Sequence, residues 1–138
     1  MNLWEKFNAS FSENASKNAF CIEGRFYSYR EFVEYINGSQ ILLQEHIGDT
    51  GIPVGVICHN SIETFAAIFA IWFSGCHFVP LHPHHPAPVN AEKIQLSGLK
   101  YIFDSETERS THEFQAEALY NKGLKSSIKQ AVSLQSNR

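Results

Sequence analysis

Residues 64–83, TFAAIFAIWFSGCHFVPLHP, constrain the fold more than any other part of the sequence. Every residue from 65 to 73 is apolar, and a helix that is apolar on all sides is one enclosed by other elements. The run is about half of the ~20 residues needed to cross a bilayer, so a buried helix is expected over Ile62–Phe73. Gly75 stands where a left-handed cap would end that helix. The run His77-Phe78-Val79-Pro80-Leu81 then reads as a short strand.

The flanking sequence repeats this grammar. Residues 54–58, VGVIC, form an unbroken apolar run of the kind found in strands covered on both faces. His59-Asn60-Ser61 supplies candidate N-caps for the helix that follows. Residues 88–96 read as a weaker helix, and 101–103 as a third strand ending at Asp104-Ser105. Strand and helix alternating through short links imply a parallel sheet with right-handed crossovers.

Upstream, Leu3, Trp4, Phe7 and Phe11 recur at helical spacing and predict a helix over Leu3–Glu13. Residues 19–22 and 25–27 read as two strands around a Glu23-Gly24 turn. Ser28-Tyr29-Arg30-Glu31 has the form of a capping box. A helix should follow, burying Phe32, Tyr35, Ile36, Leu42, Leu43 and Ile47, with a kink or close packing at Gly38. Residues 106–138 turn polar: 106–121 are expected to be partly helical, with Phe114, Ala118 and Leu119 as a thin stripe, and the chain from Lys122 to fray. The fold class is thus α/β, a small parallel sheet with flanking helices, preceded by a helix and a short hairpin. It divides into a body over 1–105 and a partly helical or disordered tail over 106–138.

The chain of 138 residues fits one domain, and a net charge of -3 without a basic stripe gives no footprint for nucleic acid. Scattered Lys and Arg give none for a membrane surface. Residues 1–6 lack a leader-like apolar segment. Cys21, Cys58 and Cys76 are odd in number and widely spaced, so they are expected to be packing residues of a cytoplasmic protein.

Three blocks carry a resemblance to a known family. They are residues 26–32 (FYSYREF), residues 53–69 with Asn60-Ser61-Ile62-Glu63, and residues 73–83 (FSGCHFVPLHP). In this order they resemble the opening segment of the adenylate-forming enzymes. That superfamily comprises acyl-CoA synthetases, peptide-synthetase adenylation domains and D-alanine carrier-protein ligases. The third block is similar to the family's LKAGxxYVPLDP. It departs at Trp72 and Phe73, where Leu-Lys is usual, at Ser74 for Ala, and at His82 for Asp. The short N-terminal helix and compact spacing place the resemblance nearest the amino-acid-activating branch.

The resemblance implies a first N-terminal subdomain, roughly the first fifth to quarter of a full-length member. It also implies, for that member, ATP, Mg²⁺, a carboxylate activated as its acyl-adenylate, and transfer to a thiol. Within these residues, however, no SGTTGxPKG-type loop occurs, nor any of the family's adenine, ribose or catalytic-lysine segments. Catalytic, cofactor-binding and metal-ligating residues are therefore assigned as none, and the chain alone is expected to be inactive. The alternative is a stand-alone interaction module that docks on a carrier protein or a partner ligase. Self-association through exposed apolar surface is expected in either case.

Two other chemistries fit the residues less well. His77, His82, His84 and His85 fall within nine residues, with His59 near the same sheet end, and clustered imidazoles can bind zinc or nickel. The Pro83 and Pro86 flanks and the lack of carboxylates at ligand spacing favour a solvated loop. A hydrolase is disfavoured because no Gly-x-Ser-x-Gly elbow is present. Gly48-Asp49-Thr50-Gly51 lacks the lysine of a phosphate loop and reads as a turn.

Overall fold

The computed structural model describes residues 3–48, 50–106 and 116–126. In chain order these form α1 (Leu3–Glu13), β1 (Asn18–Ile22), β2 (Arg25–Ser28), α2 (Tyr29–His46), β3 (Pro53–Ile57), α3 (Ile62–Phe73), β4 (His77–Leu81), α4 (Ala87–Ser97), β5 (Tyr101–Asp104) and β6 (Glu117–Tyr120).

The hairpin β1–β2 closes through Glu23 at φ 51 and Gly24 at φ 82. Two successive left-handed residues make the turn whose twist suits a two-residue hairpin loop. The capping box forms as expected: Glu31 N–H donates to Ser28 Oγ at 3.1 Å, and Ser28 N–H donates to the Glu31 carboxylate at 3.3 Å. Helix α3 runs over the expected residues, with Ser61 Oγ accepting from Thr64 N–H at its start. Gly75, at φ 74, stops it.

The sheet is four-stranded in the order β4-β3-β5-β6, and each pairing is parallel. β3, the first of the four in chain order, is therefore internal. The chain leaves β3 for β4 on one side, then returns past β3 to β5 on the other. Right-handed crossovers in opposite directions put α3 and α4 on opposite faces. Packing agrees: Ala67 and Ile71 of α3 join Val54, Val56 and Phe103, while Ile94 of α4 joins Leu81, Leu99 and Ile102. Between them Gly55 leaves room on the α4 face, where a Cβ would lie 2.9 Å from Leu99 Cδ1.

Aromatic contacts fasten the N-terminal elements to α3. Phe7 lies 5.5 Å from Phe69 and 5.6 Å from Phe73, and Phe20 stacks on Phe65 at 5.1 Å. Phe73, at a position where lysine is usual in the resembling block, is thus part of the seat for α1. Leu42 and Ile47, expected in the buried stripe of α2, are only partly covered; Asn37, Ser39 and Gln40 are buried instead.

Two expectations for the tail are corrected. Glu117–Tyr120 is a strand rather than part of a helix, because its backbone finds partners along β5, beginning with Glu117 N–H on Lys100 O at 2.8 Å. Residues 122–126 are anchored rather than frayed. Gly123 N–H donates to the Glu63 carboxylate at 2.8 Å, and Ser126 N–H to Glu34 O at 3.0 Å. Gly38 proves to be a site of close packing, for the Leu124 backbone passes directly over it. The rest of the tail, including Phe114, lies outside the described residues, as does Asp49.

Candidate functional site at the carboxyl edge of the sheet

An open parallel sheet binds ligands at the carboxyl ends of its strands, where neighbouring connections leave in opposite directions. Here that point lies between β3 and β5. Strand β3 ends at Ile57, shortly before His59 and Ser61, and β5 ends at Asp104, with Ser105 next in the chain. Sequence spacing brought none of these together, since it does not reveal that β3 and β5 are adjacent.

The crevice is cross-linked by its own side chains. His59 Nε2 meets Asp104 Oδ1 at 3.0 Å, and both groups are largely covered. Glu106 N–H donates to the same carboxylate oxygen at 2.9 Å. Alongside, Ser61 Oγ hydrogen-bonds Ser105 Oγ at 3.1 Å and Thr64 Oγ1 at 2.9 Å. His59 and Asp104 form a pair, but the serine hydroxyls bond each other and Thr64. No nucleophile faces the imidazole among the described residues, so the arrangement clamps two loops and does not activate a hydroxyl.

Farther along the same edge, the loop after β4 gathers three imidazoles. The His82 and His85 rings stack with centroids 4.7 Å apart, and His84 lies 5.6 Å from His82. His84 N–H donates to His82 Nδ1 at 3.1 Å. Among the described residues no three His, Cys, Asp or Glu side chains are arranged to hold a metal ion.

The cysteines differ from one another. Cys76 is buried, and its thiol donates to Ser74 O at 3.7 Å. Burial pushes the Cys58 thiol up, against smaller opposing effects of the Leu81 backbone and Lys93. A thiol held in its protonated form is a poor nucleophile. Cys21 corrects the packing expectation: it lies on the exposed side of β1.

Two clefts of about 180 Å³ lie elsewhere. One, at the amino edge of the sheet, is lined by His46, Lys100 and Tyr101; the other runs along α2 beside Leu124 and Lys125. Both fall below the ~300 Å³ at which small-molecule sites begin. Neither of these two clefts is large enough for ATP with Mg²⁺.

Comparison with known proteins gives the fold its family. The family model of the AMP-binding enzymes matches residues 7–137. This chain belongs to that family. Its fold is that of the N-terminal subdomain of adenylation domains. It aligns with the N-terminal subdomain of NpsA from Klebsiella oxytoca, solved with 3-hydroxybenzoyl-AMSN, at a TM-score of 0.71 and 18% identity, covering 98% of this chain and 31% of that one. It aligns with the four-domain nonribosomal peptide synthetase holo-AB3403, bound to AMP and glycine, at a TM-score of 0.83 and 23% identity, covering 96% of this chain and 10% of that one.

Among curated relatives, tyrocidine synthase 3 of Brevibacillus parabrevis is 34% identical over 103 residues, 74% of this chain and 2% of that protein. A plipastatin synthase of Bacillus subtilis (strain 168) is 29% identical over 75 residues, 54% of this chain and 2% of that protein. The chain thus spans a small fraction of the curated relatives it matches. The family implies ATP and Mg²⁺ for a full-length enzyme. No helix among the described residues is long and apolar enough to cross a membrane.

Proposed function

We propose that these residues are scaffold. They form the opening section of an amino-acid-activating ligase, which converts a carboxylate and ATP into an acyl-adenylate and pyrophosphate, then passes the acyl group to a thiol. The observation that carries this reading is the switch-point crevice, whose polar groups are spent on one another through His59–Asp104 and Ser61–Ser105. Adenylation needs a cradle of backbone amides and hydroxyls for the phosphates, and the sequence holds no such loop. The 138 residues alone therefore do not adenylate.

Amino-acid- and aryl-acid-dependent ATP–pyrophosphate exchange tests this directly. The purified chain should exchange at the blank rate with every acid tried. Exchange above blank that saturates with one acid overturns the reading.

The partners that suit such a scaffold are the remainder of a ligase and a thiol-bearing carrier protein, and the setting is the cytoplasm. The second reading, a stand-alone interaction module, draws on one feature: Trp72 is 44% exposed, between Phe69 and Phe78. Binding of a carrier protein by the chain alone, lost in Trp72→Gln, would favour that module over the scaffold.

A further inference from the structure

The two borders of the sheet are not alike. In a parallel ladder successive residues of a strand turn their amides to opposite sides, so alternate residues bond the same neighbour. On β4, His77 N–H donates to Ile52 O at 3.0 Å and Leu81 O accepts from Cys58 N–H at 2.9 Å, both on the β3 side. Phe78 and Pro80 therefore face outward, and Pro80 has no N–H to offer there. On β6, Glu117 N–H donates to Lys100 O at 2.8 Å, which turns Ala118 and Tyr120 outward. That border holds no proline, and among the described residues no strand pairs with it.

An apolar groove lies above the same border. Val33 and Ile36 of α2 pack with Ile62 and Ala66 of α3. Ser39 and His46 of α2 reach down to Asn121 and Glu117, beside the two ends of β6. Farther round the helix, Gly38, Ile41 and Leu42 turn away from α3 and, with Leu124, line a groove of about 180 Å³. A strand laid against β6 at the usual ~4.8 Å spacing would turn every second side chain toward this groove.

We propose that the outer edge of β6 and the α2 groove form one docking surface, whose occupant is an extended, alternately apolar segment from the remainder of the ligase. The proposal rests on the scaffold reading given above. Length argues for that occupant: the aligned fold covers 31% of the chain of the NpsA N-terminal subdomain, so most of such a subdomain is chain that these residues do not supply. Pro80 blocks the border at β4, which leaves β6 as the side on which the sheet extends. The outward residues of β6 carry no charge, the usual guard of an exposed border.

Amide hydrogen exchange tests this, on the chain of 138 residues and on the full-length ligase that contains it. In the chain alone the Ala118 and Tyr120 amides should exchange faster than those of Glu117 and Leu119. In the ligase they should slow by about tenfold or more, as newly bonded amides do. Ala118 and Tyr120 amides that stay fast in the ligase overturn the proposal. Slow ones in the chain alone also overturn it, and slowing that grows with concentration identifies the occupant as a second copy. Ala118→Pro deletes an outward donor and no bond to β5, so it should lower the Tm of the ligase by more than that of the chain alone. Equal losses overturn the proposal. Should that variant not fold, the amides of the unsubstituted proteins decide the matter. ATP–pyrophosphate exchange by the chain alone would strike the scaffold reading instead, whatever these amides do.

Discussion

Placing a methyl group on Gly38 sets two effects of opposite sign against each other. Gly38 lies in the interior of α2, where alanine is favoured over glycine by about 1 kcal/mol. Propensity alone therefore predicts that Gly38→Ala stabilises the protein. The packing predicts the reverse. A Cβ at this position would lie 2.5 Å from Leu124 O, 2.8 Å from Leu124 C and 3.1 Å from Leu124 Cγ.

Two of those atoms are backbone and cannot swing aside. Residues 121–126 are held on either side of the contact, by Asn121 Nδ2 on Ser39 Oγ at 3.0 Å and by Ser126 N–H on Glu34 O at 3.0 Å. Overpacking of this kind costs roughly 1–3 kcal/mol. Set against the propensity gain, the net loss is about 1 kcal/mol, or roughly 4 °C in Tm for a chain of this size. Thermal and urea unfolding measure it. Hydrogen exchange adds a local readout, because the Ser126 amide should lose protection before the body of α2 does. A Gly38→Ala protein that melts higher than its parent refutes the reasoning and, with it, the passage of residues 121–126 over α2.

Two further outcomes follow from burial and exposure. Gln40 is fully buried, and neither side-chain amide atom has a hydrogen-bond partner among the described residues. Gln40→Met keeps the length and removes a penalty of about 1–3 kcal/mol, so Tm should rise; a fall would show that the amide has a partner. Trp72 and its aromatic neighbours should support a dimer at high concentration, reduced by Trp72→Gln, and a clean monomer by light scattering would refute this.

Features written in local sequence were legible. Ser28 and Glu31 announce the start of α2 because a capping box closes within one turn, and Ser61 and Gly75 bracket α3 for the same kind of reason. Features that depend on distant chain were not. The residues of β6 carry too short a pattern to tell strand from helix; their state is decided by the β5 backbone beside them. The His59–Asp104 pair was hidden likewise. Each residue ends an element plainly enough, but their contact follows from strand order, which joins residues 45 apart. The three blocks pointed to the family whose model matches residues 7–137. The same blocks carried no site, and His82 was readable as a departure without its turn being visible.

The interior position of β3 governs how the sheet can be assembled during translation. The oldest strand leaves the ribosome with both flanks open, and each strand made afterwards joins an outer border: β4 on one side, then β5, then β6 beyond it. Growth proceeds outward from a seed, through crossovers that never require an earlier strand to be displaced.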